Sequence, residues 1–238
     1  ICCQRVKHGK MPTDPVMIKT IVTMDMGEQI ATHYGLRTIN VLTGFKFIGE
    51  QIGKLEKQGR ADSYVFGFEE SYGYLKGTYA RDKDAVVASL LVTEMAAYYR
   101  ARGMTLKNAV DSLYERYGSY GESVMSISMP GSDGKERMKE VMERLRENPP
   151  VFLAGEPVKS VRDYLRGTIT DIISEKTEPT GLPSSDVLYY TMDNSVIVFR
   201  PSGTEPKIKV YFMAKGGDES AVRQKLSACR TDAEKLLG

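Results

Sequence analysis
Residues 15–42, PVMIKTIVTMDMGEQIATHYGLRTINVL, hold the pattern that decides the fold. The first nine are rich in β-branched side chains and read as a buried strand. From about Asp25 to Tyr34 the spacing becomes helical, and it stops at Gly35, a residue suited to a helix C-cap. A short strand follows near 37–42. Working outward, Gly44 to Gln58 reads as a second helix, with Phe47, Ile48, Ile52 and Leu55 on one face and a stop at Gly59. Residues 63–68 form a third strand that runs into the polar turn Glu69-Glu70-Ser71. A long helix is expected over 84–102, its Val87, Leu90, Leu91, Met95 and Tyr98 at helical spacing, and another over 105–117. Strands alternating with helices in this way predict a parallel sheet built from βαβ units.

The rhythm changes near Gly118 to Gly121. ESVMSISM, residues 122–129, alternates as a strand. Ser132 or Asp133 caps a charged amphipathic helix that runs to about Arg146, and Pro149-Pro150 end it. Further strands are expected near 157–164, 187–192, 195–200 and 207–214. The stretch 175–186 reads as a loop. A last helix starts at Asp218, with Val222, Leu226, Ala233 and Leu237 inward. The fold class is therefore α/β: a parallel-type βαβ sheet domain over 1–119, followed by a smaller α+β domain over 120–238.

Composition narrows the function. The chain has 33 basic and 31 acidic residues. That balance lacks the lopsided charge of a generic nucleic-acid binder, although local Lys and Arg clusters can still hold a small anion. The three cysteines, Cys2, Cys3 and Cys229, show no metal-ligand or disulfide-framework spacing. A reducing cytoplasm is the expected setting. No apolar run approaches a membrane span. The opening ICCQRVKHGK has no initiator Met and begins in mid-pattern, as a piece of a longer chain would.

Two stretches carry chemistry. RPSGTEPKIK, residues 200–209, lies between the strand-like runs SVIVF and IKVYFM. A Pro-Ser-Gly-Thr turn can aim consecutive backbone N–H groups at one point, and such a nest favours an anion. Ser202 and Thr204 add hydroxyl donors, and Arg200 adds a planar fork suited to phosphate oxygens. Lys207 and Lys209 raise the local positive potential. Glu205 is expected to point away. GFEESYGY, residues 67–74, follows a strand end, where ligand loops of open α/β sheets gather. Its carboxylates and Ser71 suit sugar hydroxyls, and Tyr72 or Tyr74 offers a face for a sugar ring. His8 and His33 fit neither pattern. The charge run at 135–147, KERMKEVMERLRE, reads as a solvated helix face.

These strings resemble the phosphoglucomutase/phosphomannomutase (α-D-phosphohexomutase) family over nearly the whole chain, in the order third domain then fourth domain. RPSGTEPKIK resembles the family's phosphate-binding loop. The resemblance implies that Arg200, Ser202, Gly203, Thr204 and Lys209 hold the non-reacting phosphate of a hexose phosphate. GFEES resembles its sugar-recognition loop, with Glu69 and Ser71 on the residues that contact ring hydroxyls. The EES form is similar to that of phosphoglucomutases, and Phe68, where many members have Gly, marks a sub-branch. Thr43-Gly44-Phe45-Lys46-Phe47 resembles a stretch whose Thr43 and Gly44 lie beside the sugar at a helix N-terminus. Arg81-Asp82-Lys83-Asp84-Ala85 resembles a charged turn in which Lys83 faces the reacting phosphate.

The family's phosphoserine loop, of Ser-His-Asn-Pro type, and its magnesium loop, of Asp-Gly-Asp-x-Asp-Arg type, do not occur in these residues. The resemblance implies that earlier domains of the same chain supply both. It also implies a hexose 1,6-bisphosphate intermediate that doubles as activator. The expected share of this chain is to orient substrate, which lowers a barrier only when a donor group is present. Alone it is expected not to interconvert hexose 1- and 6-phosphates. Alternatives are a phosphomannomutase, a phosphopentomutase or sugar-bisphosphate synthase on the same scaffold, or a non-catalytic sugar-phosphate-binding module. No nucleic-acid or membrane partner is expected.

Overall fold
β1 (Val16–Thr20) is buried at every position, Lys19 and Thr20 included. The computed structural model describes all 238 residues, which divide into Ile1–Gly118 and Ser119–Gly238. In the first unit β1 lies between β2 (Arg37–Val41) and β3 (Tyr64–Glu69), parallel to both. β4 (Gly73–Leu75), a short strand with no signal in the sequence, closes the edge antiparallel to β3, giving the order β2-β1-β3-β4.

Side chains alternate across a strand, so β1 feeds two cores. Val16 and Ile18 pack with Phe45, Ile48, Ile52 and Leu55 of α3 (Phe45–Lys57) and with Tyr64 and Leu75. Met17 packs on the other face with Val65, Leu36 and Ala31 of α2 (Met26–His33). A short α1 (Cys2–Lys7) contributes Cys2 to that cluster. α2 ends where the sequence predicts. Gly35 takes φ 72°, and Leu36 N–H reaches back to the Ala31 carbonyl at 2.8 Å, closing the terminal turn.

α4 (Ala85–Arg100) is well capped, since the Asp84 side chain accepts from Val87 N–H at 2.9 Å. The expected inward face does not form: no residue of α4 is buried, and Leu90 and Met95 are 65% and 44% exposed. Periodicity reports an amphipathic helix, but not whether a neighbour in these residues covers its apolar stripe. α5 (Leu106–Tyr117) follows, opened by a capping box between Thr105 and Asn108.

The second unit, of 120 residues, is no smaller than the first, of 118. Its strands are β5 (Ser119–Ser128), β8 (Ser160–Asp163), β9 (Thr168–Asp171), β10 (Thr177–Pro179), β11 (Leu188–Thr191), β12 (Ser195–Pro201) and β13 (Lys207–Gly216). They form one antiparallel sheet in the order β10-β9-β8-β11-β12-β13-β5, and β6 (Phe152–Leu153) pairs with β7 (Glu156–Pro157) separately. The expected loop at 175–186 thus contains a strand, and the expected strand at 157–164 is broken. Inward side chains of the sheet pack on Met142 and Leu145 of α6 (Gly134–Glu147) and on Cys229, Ala233 and Leu237 of α7 (Glu219–Leu237). This is the expected α+β arrangement.

The charge run on α6 is not wholly solvated. The Arg146 side chain is only 4% exposed, and its guanidinium donates to Asp163 at 3.0 Å, Glu143 at 3.1 Å and Asp186 at 2.6 Å. Its planar fork ties α6 to β8 and to the loop before β11, which a helix-face reading of the charges does not anticipate.

Candidate functional site
The sugar-loop residues lie on a tight hairpin. Glu69 ends β3 and pairs across the ladder with Gly73, leaving Glu70, Ser71 and Tyr72 as the connection. Three-residue hairpin loops place a left-handed residue last. Tyr72 fills that position at φ 60° and is 88% exposed, so its ring projects into solvent. Glu69 is buried at 8% exposure.

Gly73 keeps this corner open. A Cβ there would stand 2.7 Å from Glu69 Cγ, 2.8 Å from Glu69 Oε1 and 2.9 Å from Lys83 Cδ. Glu69 and Lys83 therefore share one small space. Lys83 Nζ donates to Asp82 at 2.8 Å and lies 5.6 Å from the centre of the Phe45 ring. The Asp82 bond, with the Asp82 and Glu69 charges, raises the Lys83 pKa above its ordinary value, so the ammonium stays charged. The turn bearing Lys83 is pressed on α3: a Cβ at Gly49 would fall 2.5 Å from the Arg81 carbonyl oxygen.

Thr43 and Gly44 open α3 directly before Phe45. Gly44 sits at φ 121°, ψ 129°, a backbone state closed to other residues. The Thr43 hydroxyl is buried without a hydrogen-bond partner. The structure thus brings Glu69 and Lys83 together at Gly73, with Lys83 over Phe45, the residue next to Gly44. Gly73 and Phe45 were not singled out, although Gly73 stands inside the quoted GFEESYGY string.

Gly73→Ala is expected to push Glu69 and Lys83 apart. The overpacking should destabilise the Ile1–Gly118 unit by about 1–3 kcal/mol, read from the midpoint of thermal unfolding.

The anion-loop residues lie on the β12–β13 hairpin. Arg200 and Lys209 stand directly opposite each other across the ladder. With Pro201, Ser202, Thr204, Glu205 and Lys207 they line a hollow of about 190 Å³. Ser202 Oγ lies 3.4 Å from Thr204 N and 3.3 Å from Glu205 N, and so caps the turn itself. Gly203 is exposed, with open space where a Cβ would stand. The Arg200 guanidinium donates to the Tyr211 hydroxyl at 3.0 Å. Tyr211 lies two positions beyond Lys209 on the same face, a diagonal neighbour visible only once register is known.

Glu205 departs from expectation. It does not point away from the hollow but lines it, paired with Lys207. The pairing holds the Glu205 carboxyl below its usual range, with the Lys207 hydrogen bond as the largest cause. An exposed carboxylate among three cations settles on the nearest one.

No group of three or more His, Cys, Asp or Glu side chains is placed to hold one metal ion. No helix is long and apolar enough to cross a membrane.

The family model described as "Phosphoglucomutase/phosphomannomutase, alpha/beta/alpha domain III" matches residues 1–117. Phosphoglucomutases of several Staphylococcus aureus strains, RF122 / ET3-1 and MRSA252 among them, are 35% identical over 224 residues, covering 94% of this chain. The chain spans 40% of the length of these relatives. Among solved structures, a putative phosphomannomutase from Thermus thermophilus superposes with a TM-score of 0.59 at 17% identity, over 98% of this chain and 39% of that one. The open form of pp63/parafusin, a phosphoglucomutase from Paramecium, gives 0.60 at 18% identity, over 93% and 36%. These two share the fold. The domain match over residues 1–117 and the 35% identity to the S. aureus enzymes over 94% of this chain identify it as a member of the phosphoglucomutase/phosphomannomutase family.

Proposed function
We propose that this chain is the substrate-binding C-terminal part of a phosphohexomutase, a phosphoglucomutase in the first instance. Arg200 and Lys209 carry this reading. Like charges directly opposite on a ladder repel, and here they stand beside Lys207, itself paired with Glu205. A dianionic phosphate relieves that repulsion, and the Ser202 and Thr204 hydroxyls can donate to its oxygens. Gly203 lets the oxygens approach the backbone closely.

Glu69 and Ser71 then read sugar hydroxyls, Thr43 and Gly44 line the sugar from the start of α3, and Lys83 faces the reacting phosphate. The role is orientation. Binding energy from the spectator phosphate positions the far end of the sugar. Phosphoryl transfer, with its serine and magnesium, belongs to earlier domains of the same chain, and hexose 1,6-bisphosphate is the intermediate. The setting is cytoplasmic, where hexose phosphates are handled.

Arg200→Ala tests the anion role. Loss of a charge-assisted hydrogen bond worth about 1.5–3 kcal/mol should weaken glucose 1-phosphate binding by about 10–100-fold with little change in thermal unfolding. Unchanged affinity in a calorimetric titration would refute it. Tighter binding of mannose 1-phosphate than of glucose 1-phosphate would move the reading to a phosphomannomutase.

A further inference from the structure
We infer that Thr20 and Glu70 are positioning residues for the sugar loop, and that they leave Ser71 able only to accept a hydrogen bond from substrate. The inference rests on the assignment of 69–71 to sugar recognition. It concerns a hydrogen-bond chain that joins the end of β1 to the β3–β4 hairpin across about fifty residues of sequence.

The chain begins in the segment after β1. Lys19, 2% exposed, donates from Nζ to the Thr23 carbonyl and to Asp25 Oδ1, both at 2.9 Å. This ties the turn 20–25 to β1. Within it the Thr20 and Thr23 hydroxyl oxygens lie 2.7 Å apart, and both residues are buried. Thr20 Oγ1 in turn lies 3.1 Å from Glu70 Oε2. The other carboxylate oxygen, Glu70 Oε1, takes a 2.8 Å bond from Ser71 Oγ.

Proton inventory fixes the direction of every link. A carboxylate only accepts, and a hydroxyl has one proton. Thr20 therefore donates to Glu70, so Thr23 must donate to Thr20. Ser71 must likewise donate to Glu70. Both carboxylate oxygens of Glu70 are engaged by the protein, one from the strand end and one from its own loop. Glu70 thus anchors the loop, although it stands between the two residues assigned to the sugar.

The consequence for recognition is a polarity. With its proton committed to Glu70, Ser71 Oγ offers substrate lone pairs alone. Glu69, a carboxylate, offers the same. The loop therefore requires sugar hydroxyls that donate at both contacts. A contact left unmade loses its hydrogen bond, so such a site disfavours an analogue that cannot donate. Fluorine has nearly the size of a hydroxyl and accepts weakly, but it cannot donate. A deoxyfluoro sugar should be rejected as firmly as the deoxy sugar.

The test uses Thr20→Val, which removes the hydroxyl at equal size, Thr20→Ser, which restores it, and Ser71→Ala. Each is titrated with glucose 1-phosphate, and with analogues in which one ring hydroxyl is replaced by hydrogen or by fluorine. Thermal unfolding is followed in parallel. Thr20→Val should weaken glucose 1-phosphate binding by about fivefold to tenfold, the worth of one hydrogen bond of about 1 kcal/mol. Thr20→Ser should bind like the unaltered protein. At the ring position whose loss is no longer felt in Ser71→Ala, fluorine should weaken binding as much as hydrogen does.

If Ser71→Ala binds glucose 1-phosphate normally, the loop does not read the sugar, and the assignment and the inference fall together. If Ser71→Ala weakens binding while Thr20→Val does not, or Thr20→Ser fails to rescue, the tether is refuted and the assignment stands. A fluoro analogue that binds like the parent sugar would show Ser71 donating and would overturn the polarity. Should Thr20→Val fail to fold, Thr20→Ser, Ser71→Ala and the analogue series still decide.

Discussion
Gly134→Ala is expected to destabilise the Ser119–Gly238 unit by about 3 kcal/mol, the upper end of ordinary overpacking. A Cβ at this position would stand 1.8 Å from the Met129 carbonyl oxygen and 3.1 Å from Pro206 Cβ. The obstacle is mostly backbone, so no side chain can rotate out of the way. Either the first turn of α6 must lift from the sheet or the end of β5 must move. Met129 N–H also bonds the Pro206 carbonyl at 2.8 Å, so the β12–β13 hairpin would be disturbed as well. Urea unfolding followed by circular dichroism measures the effect. Gly217→Ala, with open space where its Cβ would go, is the control and should stay within about 0.5 kcal/mol of the parent. A Gly134→Ala protein as stable as the control would show that α6 does not pack as described.

Removing the Arg146 guanidinium should cost a similar amount. Arg146→Met keeps the helix and much of the volume, but strands Asp163, which is 6% exposed. Breaking one side of a buried ion pair costs about 3–5 kcal/mol, because the remaining charge has lost its compensation. The lower figure, about 3 kcal/mol, is expected here. Asp163 still accepts from the backbone N–H groups of Leu165 at 3.0 Å and Arg166 at 3.3 Å, and Arg166 Nε lies 3.6 Å away. Adding Asp163→Asn to Arg146→Met should recover part of the loss, since the stranded charge is then gone. A double variant no more stable than Arg146→Met would show that the cost arises from packing and not from charge.

The parts of this molecule that were legible in the sequence are those set by local pattern. The run at 15–23 is mostly apolar because β1 is covered on both faces, and Gly35 stops α2 through its own backbone freedom. The Arg200–Lys209 hollow was legible because both residues lie in one short contiguous string, whereas Glu69 and Lys83 lie in separate strings and meet only in the fold. The rest depended on partners distant in sequence. β4 is three residues long, and β9 and β10 are polar, so no period could reveal them. Arg146 looked like any charge on a helix face until Asp163 and Asp186 folded against it. Glu205 was expected to avoid the anion hollow, but local pairing with Lys207 outweighed that. Thr20 carried no signal at all, because its partner Glu70 is fifty residues away.

The ladder between β5 and β13 joins Ser119–Ser128 to Lys207–Gly216, the first and nearly the last strands of its unit. Closing a loop that long is entropically slow, whereas β8, β11, β12 and β13 pair with near neighbours in the chain. During synthesis β5 would leave the ribosome long before its mate and wait with a bare edge. The β12–β13 turn would already be shaped, and the strand that braces β13 would dock last. Maturation of the unit is thus governed by its opening strand, and slow translation between residues 129 and 206 would lengthen the interval in which that edge is open to capture by chaperones.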